Sequence, residues 1–370
     1  MRLHRNLVFT TIDSLMAIFN EGEYADKVVA RALKKDKRWG SHDRKFVAET
    51  IYEIVRWKRL YTEIAEVKEP FDRDKIWRIF AVWAVLRGYT LPDWKYFEDT
   101  PVRRIKGKFD ELTKTRKFRE SIPDWMDELG VKELGEETWT KELAAQNEQA
   151  KVILRVNKLK TTKEKLRAIL MDLNIETEFH KDYPDALILT ERANVFLTDA
   201  FKDGLFEVQD ASSQLVAYFL DVQPGMRVVD TCAGAGGKTL HLASLMENKG
   251  QLIAMDLYES KLKQLKIRAK RNGAFNIEPR VIESTKTIKK LHEKADRVLI
   301  DAPCSGLGVL KRNPDSKWKL QPEFIDNIRK VQAEVLENYS KIVKPGGKLV
   351  YATCSVLPSE NQEQIKHFLS

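Results

Sequence analysis

Cysteine is scarce in this chain of 370 residues, which contains only Cys232, Cys304 and Cys354. No C-x-x-C pair occurs, so the pattern excludes a zinc knuckle or an iron–sulfur cluster, and we expect no metal. An odd number of widely spaced cysteines also argues against a disulfide framework. The three thiols are therefore free for packing or for chemistry.

Long hydrophobic runs are missing as well. No stretch approaches the ~20 uncharged apolar residues that a membrane-spanning helix needs. The basic residues that open the chain are followed by Asp13 and Glu21 rather than by the apolar core of a signal peptide. We therefore expect a cytoplasmic protein with no membrane partner.

The overall composition is that of a globular chain, with 43% hydrophobic and 32% charged residues. Its length leaves room for two or three domains. The net charge of +9 favours a polyanionic partner only weakly, because many basic proteins bind no nucleic acid. A monomer is favoured, although no pattern bears on oligomeric state.

The first part of the chain predicts helices. Apolar stripes at helical spacing begin at Val8, Val47 and Ile76, and short connections between such helices indicate a bundle. We assign residues 1–140 to this all-α domain. A basic run at 103–119 is either a solvated helix face or a nucleic-acid contact.

Two further domains are predicted after the helices. Residues 141–210 form a small α+β segment, with strands at 153–156 and 186–189 and a helix capped by Thr162. From residue 211 to 370 strands and helices alternate, which predicts an α/β fold with a doubly wound, Rossmann-like parallel sheet. The predicted strands lie at 227–230, 252–256, 297–301 and 348–352, and the main helices at 259–271 and 322–343.

A glycine-rich loop follows the first predicted strand of this sheet and runs Cys232-Ala233-Gly234-Ala235-Gly236-Gly237-Lys238. Glycines let a backbone turn tightly beside a helix N-terminus, where a ligand can bind. The dinucleotide fingerprint fails because Thr239 stands where its third glycine belongs, and the P-loop spacing fails too. Asp256 ends the next strand, where a carboxylate either binds ribose hydroxyls or caps a helix. A nucleoside cofactor without a pyrophosphate fits best, and S-adenosylmethionine is the candidate.

Cys304 and Cys354 each follow a predicted strand of the same sheet. Two cysteines at one sheet edge, in a cysteine-poor chain, indicate chemistry rather than packing. A pyrimidine C5 carbon is a poor nucleophile, but a thiolate that adds to C6 makes C5 able to take a methyl group. Such a reaction needs a covalent cysteine, an acid near N3, a base for the C5 proton and a lowered thiol pKa.

These segments resemble the RNA cytosine-C5 methyltransferases of the RsmB/Sun (Nop2/Sun-type) family. The resemblance covers residues from about 122 to the end, and residues before it resemble more loosely the helical NusB-type RNA-binding domain. The α+β segment would correspond to an RRM-like fold. Besides the glycine loop, the matching motifs are D-A-P-C-S-G at 301–306, A-T-C-S at 352–355 with Glu360-Asn361, Arg155-Val156-Asn157, the segment 209–214 and R-N-P-D at 312–315.

The resemblance implies roles for individual residues. Cys354 would be the nucleophile that attacks C6, Cys304 would serve in product release as or near the C5 base, and Asp301 would hydrogen-bond the target base near the cofactor. S-adenosylmethionine would be held by Cys232, Ala233, Gly234, Ala235, Gly236, Gly237, Lys238, Asp256 and Asp301. Lys238 either contributes positive charge at the cofactor loop or in the base pocket, or has no functional role. The implied substrate is ribosomal RNA, most simply 16S rRNA.

The target cytosine must be unpaired or extruded, so basic surface must hold the RNA strand. Arg312 and Lys317, just beyond Cys304, are placed to meet phosphate, whereas the basic run at 261–271 indicates mainly a solvated helix face. Relatives continue through two more strands, so we expect a short sheet edge near Ser370. Two rival hypotheses are a catalytically inactive RNA-binding or ribosome assembly factor, and a DNA cytosine methyltransferase that uses Cys304 as the nucleophile.

Overall fold

A computed structural model describes residues 3–370; Met1 and Arg2, which open the basic amino-terminal segment, lie outside the described residues. The chain divides into two compact units. The first contains residues 3–149, Ser305–Ile325 and Ser355–Pro358, and the second contains Ala150–Cys304, Asp326–Cys354 and Ser359–Ser370. Two short segments from the carboxyl-terminal third of the chain therefore belong to the helical unit. No sequence pattern predicts that these segments leave the second unit.

Amphipathic helices build the first unit because each buries one apolar stripe. The three predicted stripes lie in the first, third and fifth helices, where Val8, Val47 and Ile76 are fully buried. Asp72 caps the fifth helix by accepting a hydrogen bond from the Lys75 N–H. The helices are α1 (Arg5–Asn20), α2 (Ala25–Ala32), α3 (Ser41–Arg56), α4 (Lys58–Ala65), α5 (Arg73–Leu86), α6 (Val102–Leu112), α7 (Arg116–Arg119), α8 (Asp124–Leu134) and α9 (Glu136–Asn147).

The second unit begins with a small antiparallel sheet, in which the strand order is β2-β3-β1-β4. Thr162 caps its helix as predicted, because its side chain accepts a hydrogen bond from the Lys165 N–H. Buried residues of the strands and helix, such as Leu154, Leu166 and Phe206, share one apolar core. The elements are β1 (Ile153–Val156), α10 (Lys163–Asp172), β2 (Thr177–Phe179), β3 (Ala186–Leu189), α11 (Asp199–Lys202) and β4 (Phe206–Val208).

A five-stranded parallel sheet follows, with the order β7-β6-β5-β8-β9. The chain runs outward from β5 to β7 and then returns to β8 on the other side of β5, so the predicted doubly wound sheet is confirmed. The elements are α12 (Ala211–Leu220), β5 (Arg227–Asp230), α13 (Gly237–Leu245), β6 (Gln251–Asp256), α14 (Glu259–Asn272), β7 (Ile277–Val281), α15 (Thr285–Lys289), β8 (Ala295–Asp301), α16 (Ser316–Lys319, in the first unit), α17 (Pro322–Tyr339), β9 (Val343–Ala352) and α18 (Gln362–Leu369). Short 3-10 turns lie at Lys95–Phe97, Val195–Leu197, Ser340–Ile342 and Pro358–Glu360.

The last long helix is shorter than predicted. It ends at Tyr339 rather than at Val343, and Val343 already pairs with Ala295 as the start of β9. The next paired residue of β9 is Lys348, so the intervening Pro-Gly-Gly segment bulges out of the ladder. Proline lacks the N–H that hydrogen bonding in a sheet or a helix requires. Gly346 adopts φ +75°, a backbone conformation that also interrupts the pairing of β9 with β8.

No helix within residues 3–370 is both long and apolar enough to span a bilayer. The same stretch of the chain holds no cluster of three or more His, Cys, Asp or Glu side chains suited to a metal ion.

Candidate active site

Polar residues end or follow four strands of the parallel sheet. Strands β5, β6 and β8 end at Asp230, Asp256 and Asp301, while β9 ends at Ala352, shortly before Cys354. Carboxyl ends of parallel strands lie at one edge of a sheet, where ligands bind in doubly wound folds. We refer to this set of strand ends and the loops that follow them as the carboxyl edge.

The glycine loop at this edge depends on glycine for its backbone shape. Gly234 and Gly236 adopt φ +55° and φ +91°, in the left-handed region that side chains rarely tolerate. A Cβ atom on Gly236 would lie 2.8 Å from Leu265 Cγ. The loop is pinned to the next strand by the Ala233 N–H, which donates to the Met255 carbonyl at 2.8 Å.

Asp256 also holds the glycine loop in place through hydrogen bonds. Its Oδ2 accepts a 2.9 Å hydrogen bond from the Gly234 N–H, and its Oδ1 accepts a 2.8 Å bond from the Tyr258 N–H. Each carboxylate oxygen can accept more than one bond, so these contacts leave capacity for a ligand hydroxyl. Contact with a ribose remains a prediction.

Asp230 is a further carboxyl group at the carboxyl edge and is not among the predicted site residues. Its side chain is 1% exposed, and its Oδ2 accepts a 2.7 Å bond from the Thr239 hydroxyl in the first turn of α13. Burial raises the pKa of Asp230 to about 7. The available signal was its position at the end of an apolar strand, the same signal that identified Asp256 and Asp301.

Lys238 and Asp301 form an ion pair at the carboxyl edge. Lys238 Nζ lies 2.7 Å from Asp301 Oδ2, and the two side chains are 18% and 29% exposed. Lys238 therefore has a partner at the site. Lys238 thus places a positive charge beside Asp301. The family resemblance predicts that Asp301 contacts the target base.

The structure brings Cys304 and Cys354 together. Their sulfur atoms are 3.2 Å apart, and the Cys354 N–H also donates to Cys304 Sγ at 3.3 Å. Cys354 is exposed, and the hydrogen bond with Cys304 lowers the pKa of its thiol. Cys232 differs, because burial raises the pKa of its thiol to about 12. Cys354 thus combines exposure with a lowered thiol pKa, whereas the thiol of Cys232 does not.

The segment Glu360-Asn361 braces both cysteine loops. Gln332 Nε2 on α17 donates to the buried Glu360 carboxylate and to the Pro303 carbonyl, each at 2.9 Å. The Thr353 hydroxyl donates to Asn361 Oδ1 at 2.6 Å. The segment therefore contacts Thr353, before Cys354, directly, and it reaches Pro303, before Cys304, through Gln332.

Two family models match parts of this chain. Residues 217–370 match the family model of the 16S rRNA methyltransferase RsmB/F, and residues 122–196 match the ferredoxin-like domain of RsmF/B-like methyltransferases. The probable ribosomal RNA small subunit methyltransferase B of Synechocystis sp. is 32% identical over 96% of this chain and 87% of that protein. The chain belongs to the RsmB/F methyltransferase family.

Two further known proteins are similar to this chain over different lengths. The ribosomal RNA small subunit methyltransferase B of Klebsiella pneumoniae is 37% identical over 63% of this chain and 54% of that protein, so the match spans about half of that relative. The crystal structure of PH0851 aligns with 100% of this chain and 90% of its own, with a TM-score of 0.83 and 27% identity. These matches agree with the predicted α/β fold and family.

Lys317 does not occupy the position predicted for it in this RsmB/F family member. It is fully buried in the helical unit, where its Nζ lies 2.8 Å from Asn147 Oδ1 and 3.1 and 3.2 Å from the carbonyl oxygens of Glu120 and Ser121. An amine sealed from solvent and surrounded by oxygen atoms does not meet RNA phosphate, so the structure contradicts this prediction. Arg312 is half-buried and remains a predicted RNA contact.

Proposed function

We propose that this protein is an S-adenosylmethionine-dependent methyltransferase that forms 5-methylcytosine in ribosomal RNA, most simply 16S rRNA, through a transient bond between Cys354 Sγ and C6. The observation that carries the proposal is the 3.2 Å pair of Cys354 and Cys304 sulfur atoms at the carboxyl edge. Membership of the RsmB/F family supports the RNA substrate.

The residues at the carboxyl edge fit S-adenosylmethionine. The loop from Cys232 to Lys238 brings backbone close to any ligand at the N-terminus of α13, and Asp256 offers a carboxylate for ribose hydroxyls. Asp301 completes the proposed set of cofactor-binding residues. When bound there, the cofactor supplies an electrophilic methyl group.

Cys354 performs the covalent step in this proposal. Its thiolate forms a bond to C6, and the electron pair of the C5–C6 double bond moves onto C5, which can then take the methyl group. Loss of the C5 proton restores the double bond and expels the sulfur. The hydrogen bond between the two thiols stabilises the Cys354 thiolate before attack.

Cys304 and the Lys238–Asp301 ion pair assist the nucleophile in this proposal. In this proposal Cys304, whose Sγ lies 3.2 Å from Cys354 Sγ, helps to remove the C5 proton and to release the product. The negative charge of Asp301 raises the pKa of the Cys354 thiol, whereas the ammonium of Lys238 lowers it. Lys238 therefore permits a carboxylate near the target base without excessive repulsion of the thiolate.

The test uses labelled S-adenosylmethionine and small-subunit rRNA with two single variants. We expect Cys354→Ala to lower methyl transfer by about 10³-fold or more and to give no protein–RNA adduct. We expect Cys304→Ala to accumulate the adduct, because release is impaired after the S–C6 bond has formed.

Equal unfolding midpoints for both variants and the unmodified protein serve as the folding control. Normal turnover by Cys354→Ala would contradict the mechanism. The reverse pattern, with Cys304 essential and Cys354 dispensable, would indicate the DNA-type mechanism, and inactivity of the unmodified protein would favour an assembly factor.

A further inference from the structure

Two arginines from different elements converge on the carbonyl groups of the glycine loop. Arg155, on β1 of the small sheet, is 2% exposed, and its Nη1 donates to the Gly237 carbonyl at 2.5 Å. Arg268, on α14, donates from Nη1 to the Ala235 carbonyl at 2.8 Å. Bonds from a charged guanidinium are stronger than those between neutral groups, so both carbonyls are held firmly.

Glu207, on β4, fixes one of these arginines. Its side chain is 3% exposed and accepts hydrogen bonds from Arg268 Nη2 at 2.9 Å, from Asn272 Nδ2 at 2.6 Å and from Arg271. Burial alone would raise the pKa of Glu207, but Arg268 and the other donors lower it, so the carboxylate stays charged. A buried charge with this many donors orients the Arg268 side chain.

Two motifs that the proposed reaction does not use belong to the same arrangement. Arg155 Nη1 also donates to Gln209 Oε1, the first residue of the 209–214 motif. Asn157, from the Arg155-Val156-Asn157 motif, donates from Nδ2 to the carbonyls of Gly204 and Asn272, each at 2.8 Å. The Arg155-Val156-Asn157 motif thus joins the small sheet to the carboxyl-terminal end of α14, and the 209–214 motif contacts Arg155.

We propose that Arg155, Glu207 and Arg268 form a clamp through which the small antiparallel sheet holds the glycine loop in its cofactor-binding shape before the cofactor arrives. Each peptide unit is rigid, so fixing the carbonyls of Ala235 and Gly237 fixes the planes of the following peptide groups. A loop ordered in advance binds its ligand more tightly because less conformational entropy is lost on binding. These are positioning residues, and the inference rests on the proposed function.

The experiment compares Arg268→Ala with Lys266→Ala. Both residues lie on α14, but Lys266 is exposed and is a matched control on the same helix. Two quantities are measured on the full chain: the Kd for S-adenosylmethionine by calorimetry, and the hydrogen exchange rates of amides 232–238 without ligand. We expect Arg268→Ala to raise that Kd about tenfold and to speed loop exchange, with the Kd for RNA changed less than about threefold.

Arg268→Lys extends the comparison, because one ammonium group cannot reproduce both the Ala235 and the Glu207 contacts of the guanidinium. We expect its loop exchange to lie between those of the alanine variant and the unmodified protein. If loop exchange in Arg268→Ala equals that in Lys266→Ala, the clamp is refuted. If the unmodified protein does not bind S-adenosylmethionine, the proposed function fails, and the exchange rates alone decide the clamp.

Discussion

The carboxyl edge and the interior of the helical unit use lysine in opposite ways. At the carboxyl edge, Lys238 is partly exposed and pairs with the Asp301 carboxylate. In the helical unit, Lys317 is fully buried, and its ammonium group donates hydrogen bonds to protein oxygen atoms. Lys238 ends the glycine loop and Lys317 lies just beyond the R-N-P-D motif, yet only Lys238 is partly exposed to solvent.

The difference shows that burial, rather than proximity in sequence to a motif, determines what a charged side chain can do. Burial lowers the pKa of Lys317 to about 7, while its oxygen partners favour the charged form. A residue in that position stabilises its surroundings. A partly exposed ion pair adds little to stability and can instead serve a ligand.

The largest effect on stability is expected at Lys317. Lys317→Met would leave the oxygens of Arg56, Glu120, Ser121 and Asn147 without this donor, and we expect a loss of about 3 kcal/mol in the free energy of unfolding. Urea denaturation measures it. The exposed Lys34→Met is the control, with an expected change below about 0.5 kcal/mol. Equal losses in both variants would remove the distinction between the two regions.

A smaller effect, confined to activity, is expected at Asp301. Asp301→Asn removes the charge that Lys238 faces, and we expect kcat/KM for methyl transfer to fall about 100-fold while the free energy of unfolding changes by less than about 1 kcal/mol. Asp296→Asn is the control, because Asp296 lies near the opposite end of the same strand. Full activity in Asp301→Asn would argue against a catalytic role.

The smallest effect is expected in the glycine loop, where backbone shape matters rather than charge. Gly236→Ala forces a side chain into a left-handed conformation against Leu265, and we expect a loss of about 1–2 kcal/mol in the free energy of unfolding. Gly237→Ala meets nothing within 4 Å and has no positive φ, so its loss should be under about 0.5 kcal/mol. Thermal unfolding compares them, and equal losses would show that the loop tolerates a side chain at either position.

Features set by local pattern could be predicted from the sequence. Apolar stripes predicted the helices containing Val8, Val47 and Ile76, and apolar runs predicted the parallel strands. The strand ends at Asp256 and Asp301 followed from the same runs, because a buried strand is apolar until it reaches the edge of the sheet.

Features set by packing between distant segments could not be predicted. Lys317 and Glu207 are charged residues that would ordinarily be exposed, and both are buried because partners remote in sequence supply their hydrogen bonds. The early end of α17 at Tyr339 reflects the bulge in β9, which depends on pairing with β8. A single sequence contains no record of these pairings.

The most direct test of the central claim is to identify the sulfur atom that bonds to cytosine. RNA whose target cytosine carries fluorine at C5 should trap the intermediate, because C5 then has no proton to lose. Mass spectrometry of the digested complex locates the linked residue. Our account predicts a link to Cys354 alone; a link to Cys304, or no link while ordinary RNA is methylated normally, would contradict it.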